Sequence, residues 1–381
     1  MRDLQRHYDP RRFEEVARLH ANAFGWRRQG RIPLGIHVQN PEHVRGLGYD
    51  QWLDPAPFFE AQHKALCDTL EVGSDVLPHV AINHVGDSVL TTMFGAELFV
   101  PTEIGGTLQD VGPTPLQAFS KIEEVASIGL PTLDAGLMPS FLRMMRYYRE
   151  RLPPWVHLVS PMPAGAFSTA LELRGADMLI EMVDKPELCR RLIALCAQLQ
   201  INAERAFRAI SWEPLAAHVS NFGVLGAGLR IGDDSMVNLS PEMIGEFCIP
   251  SYRMTAEQLG GRGHIHFCTL PHSRFDHIFP ALADSDEVAV ASSQFAFEYY
   301  ADHVEELRGR LAIETFYGDA IEHVRKKYGS FEDFANEFVP RFKNEAGLVM
   351  YCTVQTVEEG REIWEAWRRA HGGQGGAGVI G

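Results

Sequence analysis

Gly263-His264-Ile265-His266-Phe267-Cys268 predicts a short buried β-strand that ends in metal-binding side chains. Residues two apart on a strand share a face. His264, His266 and Cys268 therefore line up on one side, with Ile265 and Phe267 on the other. An imidazole and a thiol on adjacent same-face positions suit zinc, which takes nitrogen and sulfur ligands at roughly 2.0 and 2.3 Å. A His-x-Cys pair standing alone reads more readily as packing, because both residue types are more often buried without a metal. A second soft ligand is offered late in the chain, where Gly347-Leu348-Val349-Met350-Tyr351-Cys352-Thr353 reads as another apolar strand carrying a cysteine.

Bulk properties bound what surrounds these strands. With 381 residues, 45% of them hydrophobic, the chain can bury a large core. The net charge of −15 argues against a nucleic-acid partner or an anionic membrane surface. No run approaches the roughly 20 apolar residues that span a bilayer, and Met1 to Trp26 lacks an apolar run of signal length. Six cysteines, at 67, 189, 196, 248, 268 and 352, show no framework spacing, so a reducing cytoplasm is the expected compartment. Cys189 and Cys196 lie on one face of an amphipathic helix running from Pro186 to about Phe207 and read as core.

Eight strands can be marked along the chain. Arg31–Val38, Gly73–Ile82, Trp155–Ser160 and Pro214–Asn221 precede the His266/Cys268 strand, and Glu287–Ser292, Arg310–Phe316 and Gly347–Thr353 follow it. Helical patterns separate most of them, and a helix over Arg11–Phe24 comes first. Strands alternating with helices imply parallel pairing, and eight of them imply a (β/α)8 TIM barrel. The expected architecture is one α/β barrel domain over residues 1–371. It carries an N-terminal helical extension and an insertion at 84–153 between strands two and three, and a flexible Gly-rich tail covers 372–381. Ser168 is read as a helix cap, and Ser240-Pro241-Glu242 as a strong helix start.

Active sites in such barrels lie at the C-terminal ends of the strands. His266 and Cys268 end the fifth strand of this count, and Cys352 ends the eighth. Three soft ligands at one mouth would leave a fourth zinc position open, as in catalytic sites. His37, His79 and His84 fall near other strand ends and are structural histidines or further lining.

Four pieces stand in order along the chain: Ala166-Phe167-Ser168-Thr169-Ala170 followed by Leu173-Arg174-Gly175; Asp233-Asp234…Leu239-Ser240-Pro241-Glu242-Met243 with Phe247…Pro250; His266-Phe267-Cys268; and Cys352 in the last strand. Together they resemble the uroporphyrinogen decarboxylase-like superfamily, within it the zinc- and cobalamin-linked methyltransferases. The first is similar to the family's GPFT…LRG segment, the second to its DD…SPEMF..F..P segment and the third to its HxCG. The departures are as informative. Thr269 replaces the usual glycine, and Gln39-Asn40-Pro41-Glu42-His43 replaces the decarboxylases' arginine-rich loop, with no arginine before Arg45. The decarboxylase histidine after the last strand is absent. A substrate with many carboxylates needs cationic clamps, so the methyltransferase branch is favoured over the decarboxylase.

The resemblance implies a methyl transfer between a corrinoid (cobalamin), delivered by a separate corrinoid protein, and a small-molecule thiol or methylated substrate activated on zinc. It makes Asp233 and Asp234 candidates for substrate positioning or base work. Glu314 becomes a fourth ligand or a buried-pair residue, and His264 lies one layer below the metal. A homodimer stays open. The alternatives are a decarboxylase or lyase of a carboxylated substrate, and a non-catalytic barrel that binds a corrinoid or a partner.

Overall fold

A computed structural model describes residues 2–45, 47–48, 51–82, 86–100, 114–159, 164–212, 219–220, 222–226, 228–269 and 277–372. The readings of His84, of the tail beyond Gly372 and of most of Pro214–Asn221 fall outside these residues.

Among the described residues ten strands are formed: β1 (Leu34–Val38), β2 (His79–Ala81), β3 (Leu98–Phe99), β4 (Thr114–Pro115), β5 (His157–Val159), β6 (Arg230–Gly232), β7 (Gly263–His266), β8 (Val288–Ser293), β9 (Ala312–Thr315) and β10 (Leu348–Val354). Six of them make one parallel sheet in the order β1-β10-β9-β8-β7-β6. β2 and β5 form a separate parallel pair. Among the described residues the strands do not form the closed ladder expected of a complete barrel. Between β1 and β2 the link is made by Asp75 and Ser74: the Asp75 N–H donates to Leu34 O at 3.0 Å, and the Ile36 N–H donates to Ser74 Oγ at 2.9 Å. Between β5 and β6 a single parallel bridge joins Ala164 to Gly232.

The strand beside β7 is Arg230–Gly232, and the strand read from the sequence over Pro214–Asn221 lies mostly outside the described residues. Of the latter, Val219 and Ser220 are described, and Val219 makes only an isolated antiparallel bridge to Leu225. The signal was hidden by Arg230, a charge that reads as solvent-exposed yet is 2% exposed. Gly228 precedes this strand because a Cβ there would lie 1.9 Å from Arg262 O.

The sheet separates two apolar layers. Leu34, Ile36, Ile265, Phe267, Ile313, Met350, Cys352 and Val354 pack outward against the helices. Val290, Ala312, Val349, Tyr351, Phe222 and Tyr317 form a smaller interior cluster. The N-terminal helix Pro10–Phe24 is capped by Asp9, whose Oδ1 accepts from Arg12 N at 3.1 Å. Its end, Ala23 and Phe24, joins the interior cluster, and the Phe24 ring lies 5.8 Å from that of His264. The insertion holds the helix Gly86–Met93, the antiparallel β3–β4 hairpin and the helix Met138–Arg149. Its apolar face packs on Leu199, Ala203 and Phe207 of the helix Pro186–Ser211 and on Val80 and Leu158 of the β2–β5 pair. Among the described residues no helix is long and apolar enough to cross a membrane.

Candidate metal centre

The β6–β7 ladder continues one residue past β6, where the Asp233 N–H donates to His266 O at 2.8 Å. That contact brings Asp234 beside the end of β7. The Asp234 carboxylate accepts from the Cys268 N–H at 2.7 Å. His266 Nε2 lies 3.4 Å from Cys268 Sγ and 3.7 Å from Asp234 Oδ1. The ligand atoms of Asp234, His266 and Cys268 all fall within 4.8 Å of one another, the one such group of three among the described residues. One nitrogen, one sulfur and one oxygen donor at a strand end fit a divalent metal of the zinc class.

The surroundings tune these donors. Burial, then the nearby Arg230 charge, holds the His266 imidazole well below its ordinary pKa and so neutral. Burial and Asp234 push the Cys268 thiol up to about 11. A bound metal would reverse that penalty, because a coordinating thiol is deprotonated outright. Gln294 bridges the sulfur to the neighbouring loop: its Nε2 donates to Cys268 Sγ at 3.2 Å, and its Oε1 accepts from Thr269 N at 3.0 Å.

A buried polar cluster lies beneath. Glu314 Oε1 accepts from Ser292 Oγ at 2.9 Å and from Arg230 Nε at 3.3 Å, and Glu314 Oε2 lies 3.4 Å from His264 Nε2. Burial opposes the Glu314 charge, but His264, Arg230 and Ser292 outweigh it and hold the carboxyl below its ordinary range. Arg230 stacks over the Phe222 ring at 4.3 Å. Glu314 thus pairs with Arg230 and Ser292 in this buried cluster, and His264 lies beside it, both outside the group formed by Asp234, His266 and Cys268.

The other sequence-predicted residues fall elsewhere. Cys352 is 0% exposed and packs in the helix-facing layer with Ile36, Met350 and Val354, so the structure does not bring it to His266. Asp233 is also sealed. Its carboxylate accepts from Ser168 N at 2.8 Å, Ser168 Oγ at 2.7 Å and Tyr252 Oη at 2.8 Å, and burial still raises its pKa to about 6. It is a joint between the helices Ala166–Arg174 and Ile249–Leu259. Ser168 is correspondingly not the cap of its helix: Gly165 holds that place, and Asp233 supplies the acceptor from across the fold. Gly165 itself is required, since a Cβ would sit 2.4 Å from Asp233 Cγ. His37 and His79 pair with each other, ring centroids 4.7 Å apart, beside Tyr351.

Tyr317, Ser292 and Gln294 were not singled out from sequence. Tyr317 Oη lies 2.5 Å from His266 Nδ1. It reaches inward because the alternation of β9 breaks. Ala312 faces the interior and Ile313 the helices, so Phe316 should face inward and Tyr317 outward. Phe316 instead adopts a left-handed φ of 82°, which turns its own ring outward and the next one in. For a bulky residue that costs roughly 1–2 kcal/mol. The Phe316 ring stacks on Phe334 (5.3 Å, 6°) and meets Phe297 edge-on at 5.3 Å. Such aromatic pairs are worth about 0.5–1.5 kcal/mol each beyond burial, enough to hold the turn.

The sequence matches no known protein-family model and no curated protein. By fold the chain is similar to a methyltransferase from Methanosarcina mazei, with a TM-score of 0.67 over 93% of this chain and 98% of that one. The two are 14% identical, so the likeness is one of architecture.

Proposed function

We propose that the chain is a zinc-dependent methyltransferase that moves a methyl group between a corrinoid and a thiol-type acceptor. The observation that carries this is the convergence of Asp234, His266 and Cys268 at the end of β7, and the fold it shares with a methyltransferase supports it. Asp234, His266 and Cys268 would hold the metal. Zinc with an exchangeable position lowers the pKa of a bound thiol, so that the thiolate is present near neutral pH. Cys352 is left out of the ligand set, because it occupies the helix-facing side of β10.

The remaining work belongs to the chain itself. Gln294 donates a hydrogen bond to the Cys268 sulfur and so moderates its charge. Asp234 fixes the backbone of Cys268 through its N–H, which sets the position of the sulfur relative to Nε2 of His266. The corrinoid would arrive on a partner protein that docks over this mouth.

The test is metal content after dialysis together with methylcobalamin demethylation across a panel of thiols. The expected result is one zinc per chain and thiol-dependent demethylation, both lost in Cys268→Ser. Full zinc in Cys268→Ser, or no demethylation with any thiol by a zinc-loaded enzyme supplied with methylcobalamin free or protein-bound, overturns the reading.

A further inference from the structure

We propose that Glu314 sets the tautomer of His266 through a one-way hydrogen-bond chain, with Tyr317 as the link that leaves the metal-facing nitrogen bare. This rests on the metal reading above. An ionised carboxylate only accepts hydrogen bonds. Ser292 Oγ lies 2.9 Å from Glu314 Oε1 and has one proton to give, which goes to that oxygen. Towards its other neighbours Ser292 Oγ can then only accept. Arg230 Nη2, a donor without alternative, points at it from 3.2 Å.

Tyr317 Oη lies 3.3 Å from the same Ser292 Oγ. Its proton therefore turns towards Ser292, and its lone pairs face His266 Nδ1 at 2.5 Å. The imidazole must then carry its proton on Nδ1. Every donor along His266, Tyr317 and Ser292 points the same way and the series ends on Glu314. Nε2 is left with its lone pair towards Cys268 and Asp234. Reversing the tyrosine would place two oxygens 3.3 Å apart with no hydrogen between them. It would also put an N–H where a metal ligand is needed.

The backbone supports the same assignment. Tyr317 occupies its place only because Phe316 breaks the strand alternation in the left-handed region. Strain of this kind in a bulky residue concentrates at functional sites.

The experiment uses the metal-free full chain labelled with 15N-histidine, observed by long-range 1H–15N correlation, and zinc affinity by chelator competition. In the wild type the His266 signals should be those of an Nδ1–H ring. Tyr317→Phe removes one oxygen and leaves only the longer direct contact between His266 Nδ1 and Ser292 Oγ, at 3.4 Å. Glu314→Gln keeps the shape but ends the obligate acceptance. Each should bring an Nε2–H population into His266 and weaken zinc binding about 10–100-fold, the range seen when a ligand's hydrogen-bond partner is lost. Should Glu314→Gln not fold, because Arg230 loses its carboxylate, Tyr317→Phe decides alone. A wild type in the Nε2–H form, or a Tyr317→Phe protein with unchanged tautomer and zinc affinity, overturns the proposal. A wild type that binds no zinc while the tautomer still moves in Tyr317→Phe overturns the metal reading and upholds the tautomer assignment.

Discussion

Cys268 and Cys352 are the same residue type, each on an apolar stretch that runs towards the same end of one parallel sheet, and their fates are opposite. Cys268 lies two residues past His266 and just beyond the ladder, where Asp234 and Gln294 reach it. Cys352 lies inside β10, opposite Ile36 of β1, under the helices. The difference is parity. On β7 the polar residues His264 and His266 alternate with Ile265 and Phe267, so the inward face is marked by chemistry. On β10 Leu348, Met350, Cys352 and Val354 alternate with Val349 and Tyr351. Both faces are apolar, and a strand buried on both sides carries no label for which face is inward.

The largest expected effect comes from the neighbouring carboxylates, which divide in the same way. Asp234→Ala should weaken zinc binding by roughly 100-fold or more, as loss of a ligand exceeds the cost of losing a ligand's support, and leave the fold intact because its side chain is 53% exposed. Asp233→Ala should keep zinc and lose stability. It strands the Ser168 N–H and the Ser168 hydroxyl in a buried place and leaves the Tyr252 hydroxyl with sulfur acceptors such as Met236 Sδ at 3.6 Å, at about 1–3 kcal/mol for each unsatisfied group. Zinc titration and urea unfolding of both variants separate the roles. Equal zinc affinities would break the contrast.

A smaller effect lies at the opposite end of the strands. His20 on the N-terminal helix is buried between Asp75 O, 3.1 Å from Nε2, and the Leu225 N–H, which donates to Nδ1 at 3.2 Å. Burial, only partly offset by the bond to Asp75, lowers its pKa from 6.5 to about 4. The unfolded chain therefore takes up a proton as pH falls through 6.5, and the folded chain refuses it until about 4. Stability is complete above that window and lost within it, by about 3 kcal/mol at roughly 1.4 kcal/mol per unit. Urea midpoints at pH 7 and pH 4.5 should differ less in His20→Gln than in the wild type. The slope should persist in Cys268→Ser, since none of the groups that shift His20 is Asp234, His266 or Cys268. An identical slope in His20→Gln would assign the acid sensitivity elsewhere.

Much of the frame was legible because it rests on local rules. The alternation in β7, the Ser240 cap whose Oγ accepts from Met243 N at 3.3 Å, and the helix ending at Phe24 all follow from spacing and capping chemistry. What stayed hidden depends on partners distant in sequence. Arg230 belongs in a strand only because Glu314 and Ser292 meet it. Asp233 is a joint only because Ser168 and Tyr252 arrive there. Tyr317 faces inward only because an aromatic cluster holds Phe316 at a φ that its residue type disfavours. Asp234 was noticed, but its place beside His266 comes from the β6–β7 ladder, which the reading had assigned to another segment.

The smallest effect tests the parity argument directly. If Cys352 is apolar packing, its variants should rank by polarity. Cys352→Ala removes an atom about the size of a methylene from a closed layer and should cost about 1 kcal/mol. Cys352→Ser keeps the volume but buries a hydroxyl among Ile36, Met350 and Val354, so it should cost more, about 1–3 kcal/mol. Neither should change zinc affinity. A metal ligand behaves in the reverse way: serine and alanine both lose the metal, and their stabilities differ little because the site faces solvent. Denaturant midpoints and zinc affinities of the two variants therefore suffice. Alanine below serine in stability, or a loss of zinc in either variant, would place Cys352 on the inner face of β10 after all.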